Sequence, residues 1–377
     1  MASARTRWIP ALVLVLISGA IWWARRRPAE TYPVAYVSDR SAIVWSTTAQ
    51  VRQRIAELHY GERVAVLGHT GEQAQVRSDA GVQGWMDAQL LMAPELWQQA
   101  TDLLASARSM PVQASGHTRA LSNIHLAPSR TAGRVFQFGR NVSVVVLGRK
   151  VNAVPGAAPA SSVPASAAPT STAPEGAAEG DAAGAGASVS DAGQPKQEDW
   201  LLVLHVPQGS GGAADAAGEA GAGAPAASQN GAGGADIPIA GWVLARFIGL
   251  DPPAPISDYA SSAAVRVVAW MTLNQVTDSG SSHAQYLVAG THGGEGQPCD
   301  FTSLRVYTWG EARRRYETAY VESDLCGRFP IRTGATPDGA EFRFAELDEG
   351  GAERVYRMKQ TIVRRVREVQ PKAGSAR

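Results

Sequence analysis

Short runs of alternating apolar and polar residues, separated by glycine-containing turns, dominate the chain from residue 31 to residue 250. Runs such as Val34–Val37 and residues 43–45 are typical of β-strands with one buried face. Residues 94–110 differ, because apolar residues recur there at helical spacing and Pro94 suits a first helical turn. We expect a short amphipathic linker helix packed on a β module, with a partner-binding helix as the alternative.

The strand pattern occurs twice. A G-x-x-V-x-V run begins at Gly61 and again at Gly139. Each is followed by an apolar strand and then by a Gly-Trp-aliphatic strand, which starts at Gly84 in the first copy and at Gly241 in the second. Short alternating strands closed by a Gly-Trp strand predict a small antiparallel barrel in each copy.

This order of motifs resembles the bacterial Src-homology-3-like (SH3b) domain. Residues 34–92 match it well and residues 111–250 more loosely; Ala74 and Gln75 stand where the family often has an aromatic residue. The resemblance implies non-covalent binding of cell-wall peptides through aromatic side chains, and the candidate ligand-binding residues are Trp45, Tyr60 and Trp85. Trp45 and Tyr60 are the better candidates for an exposed groove. Trp85 and Trp242, at the Gly-Trp position, are expected mostly in the cores.

Two tracts rich in Ala, Gly, Pro and Ser interrupt the second copy, at residues 151–197 and 208–236. Such composition cannot build a packed core, so both tracts are predicted to be disordered loop insertions. The apolar run 199–206 lies between them and needs neighbouring strands to bury it. We therefore expect this run to be a strand of the second barrel.

Residues 251–377 form a third region, with about seven strand-like runs and glycine turns. They predict an antiparallel β domain, either a sandwich or a half-open barrel, and resemble no family closely enough to transfer a function. Cys299 and Cys326 are equidistant from the centre of the hairpin predicted for residues 304–321, so they are expected to form a disulfide. Two buried thiols in a cytosolic protein are the alternative.

An apolar stretch covers residues 8–24, with arginines before and after it. Seventeen residues are just enough for a membrane helix, and tryptophans lie at both ends. We expect an uncleaved single-pass anchor in the inner membrane, spanning residues 1–30, with the rest of the chain in the periplasm or outside the cell. A cleaved signal peptide and a buried helix of a soluble protein are the alternatives.

The net charge of +1 argues against a nucleic-acid-binding protein. No phosphate loop, nucleophile elbow or H-E-x-x-H motif is present, so no enzyme, metal or cofactor is predicted. The sequence thus predicts a mainly β protein with a membrane helix, barrels at 31–93 and 111–250, and a β domain at 251–377. Its predicted function is recognition of peptidoglycan or an envelope protein. The alternatives are a structural or regulatory subunit that assembles through the C-terminal domain, and an enzyme with its site around His283 and His292.

Overall fold

The computed structural model describes residues 32–153, 197–207, 237–262 and 265–366. Within these residues the protein is mainly β, as predicted, and every strand pairing is antiparallel. The chain divides into two compact units after Pro94. The first unit holds one seven-stranded sheet, and the second holds another seven-stranded sheet together with two four-stranded sheets.

The first sheet, here called the first β module, contains seven strands in the order β3-β2-β6-β5-β4-β1-β7. A 3-10 turn at Ala88–Leu90 precedes its last strand. The core consists of inward-facing aliphatic side chains from one sheet alone, so the sheet curls around its own inner face. The strands are β1 Val34–Val37, β2 Ser41–Trp45, β3 Arg54–His59, β4 Arg63–Thr70, β5 Gln73–Ser78, β6 Gln83–Asp87 and β7 Leu91–Met92.

The second β module repeats this arrangement, with the strand order β10-β9-β13-β12-β11-β8-β14. Strand for strand, this order is the same as in the first module, which confirms the predicted internal repeat. The strand at Gln197–His205 pairs on both sides within the module, as expected. The elements are helix α1 Pro94–Ala107 and strands β8 Ala114–Thr118, β9 Ser122–His125, β10 Arg134–Phe138, β11 Ser143–Ala153, β12 Gln197–His205, β13 Ile239–Leu244 and β14 Ile248–Leu250.

The repeated Gly-Trp motif has a steric cause in both modules. A Cβ atom at Gly84 would lie 2.6 Å from the carbonyl oxygen of Trp45 on the neighbouring strand. A Cβ atom at Gly241 would lie 2.9 Å from the carbonyl oxygen of His125 in the equivalent place. Both positions therefore need glycine, because the backbones of two strands approach closely there.

The C-terminal strands form two four-stranded sheets, β15-β16-β17-β18 and β19-β20-β21-β22, which share one apolar core. The core contains side chains from both sheets, so they pack face to face, and we call them the C-terminal sandwich. A short helix, α2 Ala254–Ser262, precedes them and was not predicted. The strands are β15 Arg266–Asp278, β16 Ser281–Thr291, β17 Ser303–Gly310, β18 Arg315–Glu322, β19 Gly327–Thr336, β20 Gly339–Glu346, β21 Ala352–Lys359 and β22 Ile362–Val366.

Three sequence-based boundaries need correction. The run predicted as one strand at 355–366 is two strands, because Gln360 adopts a positive φ of 56° and reverses the chain. The insertion predicted at 151–197 is shorter than expected, since residues 151–153 and residue 197 extend the hairpin of β11 and β12. The remainder of both insertions lies outside the described residues. The helix predicted at residues 94–110 ends earlier, at Ala107.

Cys299 and Cys326 form a disulfide, with their Cα atoms 4.7 Å apart. The bond connects the segment before β17 to the segment before β19, at the open end of the β17–β18 hairpin. This placement confirms the pairing predicted from the hairpin centre. In the described part of the chain, no helix has the length and apolar character needed to cross a bilayer. The anchor predicted at residues 8–24 lies outside that part.

Candidate functional site

Trp45 and Trp85 lie side by side on the outer face of the first β module. They are directly opposite each other in the pairing of β2 with β6, and such pairs place their side chains on the same face of a sheet. Gln75 is opposite Trp85 on the next strand, and the Arg52 guanidinium lies 4.4 Å from the centre of the Trp45 ring. We call these four residues, Arg52, Trp45, Trp85 and Gln75, the aromatic row.

Strand alternation explains why the row points outward. Ala42 and Val44 of β2 and Met86 of β6 are buried in the module core, so the residues next to them face away from it. Trp45 and Trp85 are half-buried and outside that core. The expectation that Trp85 is mostly a core residue is therefore wrong, because Met86 fills that place.

Tyr60 does not belong to the aromatic row. It follows β3, whose last residue, His59, pairs with Ser41 at the beginning of β2, whereas Trp45 is at the end of β2. Four strand residues separate those two places by about 13 Å. Tyr60 is half-buried, and burial raises the pKa of its hydroxyl to about 12. The structure therefore brings together two of the three predicted aromatic residues and places the third elsewhere.

In the second module, helix α1 covers the corresponding face. Trp242 is opposite His125 and Leu202, as Trp85 is opposite Trp45 and Gln75 in the first module. Trp242 is buried in a cluster with side chains of β12, β13 and Ala107, against which Leu103 and Leu104 of α1 also pack. This packing confirms that α1 lies against a β module, and it removes Trp242 from contact with an external ligand.

The difference between the two faces can be read from strand β5 and its counterpart β12. At the outward positions β5 has Gln73, Gln75 and Arg77, whereas β12 has Trp200, Leu202 and Leu204. An apolar face needs cover from water, and α1 supplies it. A polar face with two tryptophans can remain in water and still offers flat apolar surface to a ligand.

The aromatic row suits non-covalent recognition. Indole rings provide rigid apolar contact area, the Gln75 amide both donates and accepts hydrogen bonds, and Arg52 adds a positive charge. Sequence reasoning missed Gln75 and Arg52. Gln75 could have been found from its outward position between the inward Ala74 and Val76. Arg52 precedes β3 and has no signal in the sequence.

The structure separates the residues considered for an enzyme site. His283 is near the start of β16 and stacks on the Trp309 ring at 3.7 Å, whereas His292 follows the end of the same strand. Nine extended residues place these histidines about 30 Å apart, and Cys299 is in the disulfide. Across residues 32–366, excluding the segments not described, no group of three or more His, Cys, Asp or Glu side chains could hold a metal ion.

Comparison of the chain with protein-family models finds no match, and comparison with curated proteins finds none either.

Proposed function

We propose that this chain is a non-enzymatic binding protein of the bacterial cell envelope, which recognises peptidoglycan through the aromatic row of its first SH3-like module. The observation that supports the proposal is the pairing of Trp45 with Trp85 on an outward sheet face, to which β5 adds the polar side chains of Gln73, Gln75 and Arg77. Peptidoglycan presents sugar rings and peptide amides, which suit flat indole rings beside a carboxamide and a guanidinium.

The proposal assigns the two modules different roles. The second module buries its equivalent tryptophan, Trp242, beneath α1 and acts as a structural element of the second unit. The anchor expected at residues 8–24 would hold the chain at the inner membrane, with both modules on the envelope side. The disulfide between Cys299 and Cys326 supports this location, because disulfides persist in oxidising compartments.

Co-sedimentation of the full-length chain, purified in a mild detergent, with insoluble peptidoglycan tests this proposal. We expect saturable binding that Trp45→Ala and Trp85→Ala each weaken at least about tenfold, as for aromatic residues at the centre of an interface. Tyr60→Phe is the matched control, since Tyr60 is a half-buried aromatic residue outside the row and the change keeps its ring. Failure of the parent chain to sediment would exclude peptidoglycan as the ligand.

A second candidate function is a structural or regulatory subunit that assembles with an envelope protein through the C-terminal sandwich. Half-buried Trp270 and Tyr286 favour it, because both pack with a small apolar cluster separate from the shared core of the two sheets. Trp270→Ala would then abolish capture of a purified envelope partner, whereas Trp45→Ala would have no effect. The opposite pattern would support the first module as the binding surface.

A further inference from the structure

A cavity of about 560 Å³ lies between the second β module and the C-terminal sandwich, within the second compact unit. Its apolar wall comes from three strands of the module and two of the sandwich. This volume is in the range of small-molecule sites, which are often found at the mouths of β-barrels and between packed parts of a chain. The apolar lining includes Val146, Leu201, Ile248, Leu250, Val267 and Phe329.

Buried polar contacts hold the two sides of the cavity together. Arg149, on β11 of the module, donates to Asp300 at 3.0 Å and to the carbonyl oxygen of Cys299 at 3.1 Å, both next to the sandwich. It also donates to Asp199 of β12 at 2.7 Å. The side chains of Arg149, Asp199 and Asp300 are all nearly inaccessible to water. The cavity is therefore part of the folded unit and does not depend on a ligand to form it.

Some of the charged groups that line the cavity have no ion-pair partner within the described residues. Four arginines and three carboxylates line it, and one of these carboxylates, Glu295, is exposed and forms no ion pair there. Arg149 is shared between Asp199 and Asp300, and Arg246 pairs with Glu198, which lies outside the lining. Arg119 and Arg266 remain, and within the described residues neither guanidinium has a carboxylate within 4 Å. The Arg266 side chain donates a hydrogen bond to the carbonyl oxygen of Gly293 at 3.2 Å.

We propose that this cavity binds a small organic anion with a branched aliphatic body, whose carboxylate is attracted and held by Arg119 and Arg266. The aliphatic residues of the lining favour burial of an apolar body, and the two arginines favour a negative charge on the same ligand. A carboxylate of this kind occurs at the C-terminus of a short peptide and in a branched aliphatic acid. The proposal is independent of peptidoglycan binding, since the aromatic row lies in the other unit.

Isothermal titration of the full-length chain in mild detergent distinguishes these sources. The probes are N-acetyl-alanyl-leucine, the same dipeptide with a C-terminal amide, and 4-methylpentanoate. We expect saturable binding of at least one acid and none of the amide. The acid that binds more tightly identifies the source: the dipeptide indicates a peptide C-terminus, and 4-methylpentanoate an aliphatic acid. Binding should also weaken with added salt, because solvent screens an accessible charge pair.

The variants Arg119→Gln and Arg266→Gln should each weaken binding about tenfold or more, as expected for loss of a charged hydrogen bond. Both residues are exposed, so the melting temperature should be unchanged. Arg108→Gln is the matched control, because Arg108 is an exposed arginine of the same unit outside the lining. The proposal is overturned if neither acid binds at millimolar concentration, if the amide binds equally well, or if both arginine variants bind like the parent.

Discussion

The carboxamide of Gln113 is paired with the peptide groups of Ile331, 218 residues further along the chain. Its Nε2 donates to the Ile331 carbonyl oxygen at 3.1 Å, and its Oε1 accepts from the Ile331 N–H at 2.8 Å. Gln113 is completely buried. Its side chain forms the two hydrogen bonds that a neighbouring strand would otherwise supply, and so satisfies both backbone groups of Ile331 where water cannot reach them. This contact and the Arg149 ion pairs join the second β module to the C-terminal sandwich.

Replacing Gln113 should destabilise the second unit strongly. Gln113→Ala leaves a buried N–H and a buried carbonyl oxygen without partners, which should lower the free energy of unfolding by about 2 to 4 kcal/mol. Urea denaturation monitored by tryptophan fluorescence measures the loss. Gln137→Ala is the control, because Gln137 is half-buried and its amide donates to the Asn123 side chain at 2.8 Å, not to a buried backbone group; its loss should stay below about 1 kcal/mol. Equal losses in the two variants would contradict this role of Gln113.

Glu198 should make the stability of the second unit depend on pH. Hydrogen bonds from Arg130 and Arg246 lower the pKa of this buried carboxyl below its usual 4.5, although burial opposes them. A lowered pKa in the folded state stabilises the protein above pH 4.5, and the contribution is lost as the pH falls through the lowered value. Both arginines are about half exposed, so the contribution should be only about 1 kcal/mol.

The variant Glu198→Gln should therefore be less stable than the parent at pH 7, and the difference should shrink as the pH falls below about 4. Urea denaturation at a series of pH values measures it. Asp348→Asn is the control, because Asp348 is an exposed carboxylate in the turn between β20 and β21. A constant difference between Glu198→Gln and the parent at every pH would show that charge does not cause the effect.

The disulfide should contribute about 3 to 4 kcal/mol, from the entropy of a loop closed across 27 residues. The double variant Cys299→Ser, Cys326→Ser should lose this amount in guanidinium denaturation. A thiol reductant should destabilise the parent by a similar amount and leave the double variant unchanged. A loss smaller than about 1 kcal/mol would mean that the surrounding ion pairs already hold residues 299–326 in place.

The two Gly-Trp tryptophans should differ in their effect on stability. Trp242→Ala empties a packed site beneath α1 and should cost about 3 to 5 kcal/mol. Trp85→Ala removes a half-buried outward ring and should cost about 1 kcal/mol or less. Thermal unfolding followed by circular dichroism compares the variants, which change the same residue type at the same strand position. Similar losses would show that the two sheet faces are equally covered.

Much of the fold could be predicted from local pattern. Alternating apolar and polar residues predicted the strands, and apolar residues at helical spacing predicted α1. The two Gly-Trp motifs predicted an internal repeat, and the structure confirms it because both modules have the same strand order. The equal distance of Cys299 and Cys326 from the centre of the β17–β18 hairpin predicted their disulfide. Errors arose where one residue changes the chain direction: Gln360 divides the last predicted strand in two. The aromatic row was half predicted, since Trp45 and Trp85 were candidates but Trp85 was expected mostly in the core.

The sequence by itself determined which residues form strands and that two similar modules follow each other, because strand periodicity and close-approach glycines are local requirements. Only the tertiary structure decided which module keeps an open face. Covering Trp242 with α1 depends on packing between distant segments, and so does the meeting of Gln113 with Ile331. Contacts of that kind arise from the summed fit of many side chains, which no short motif encodes.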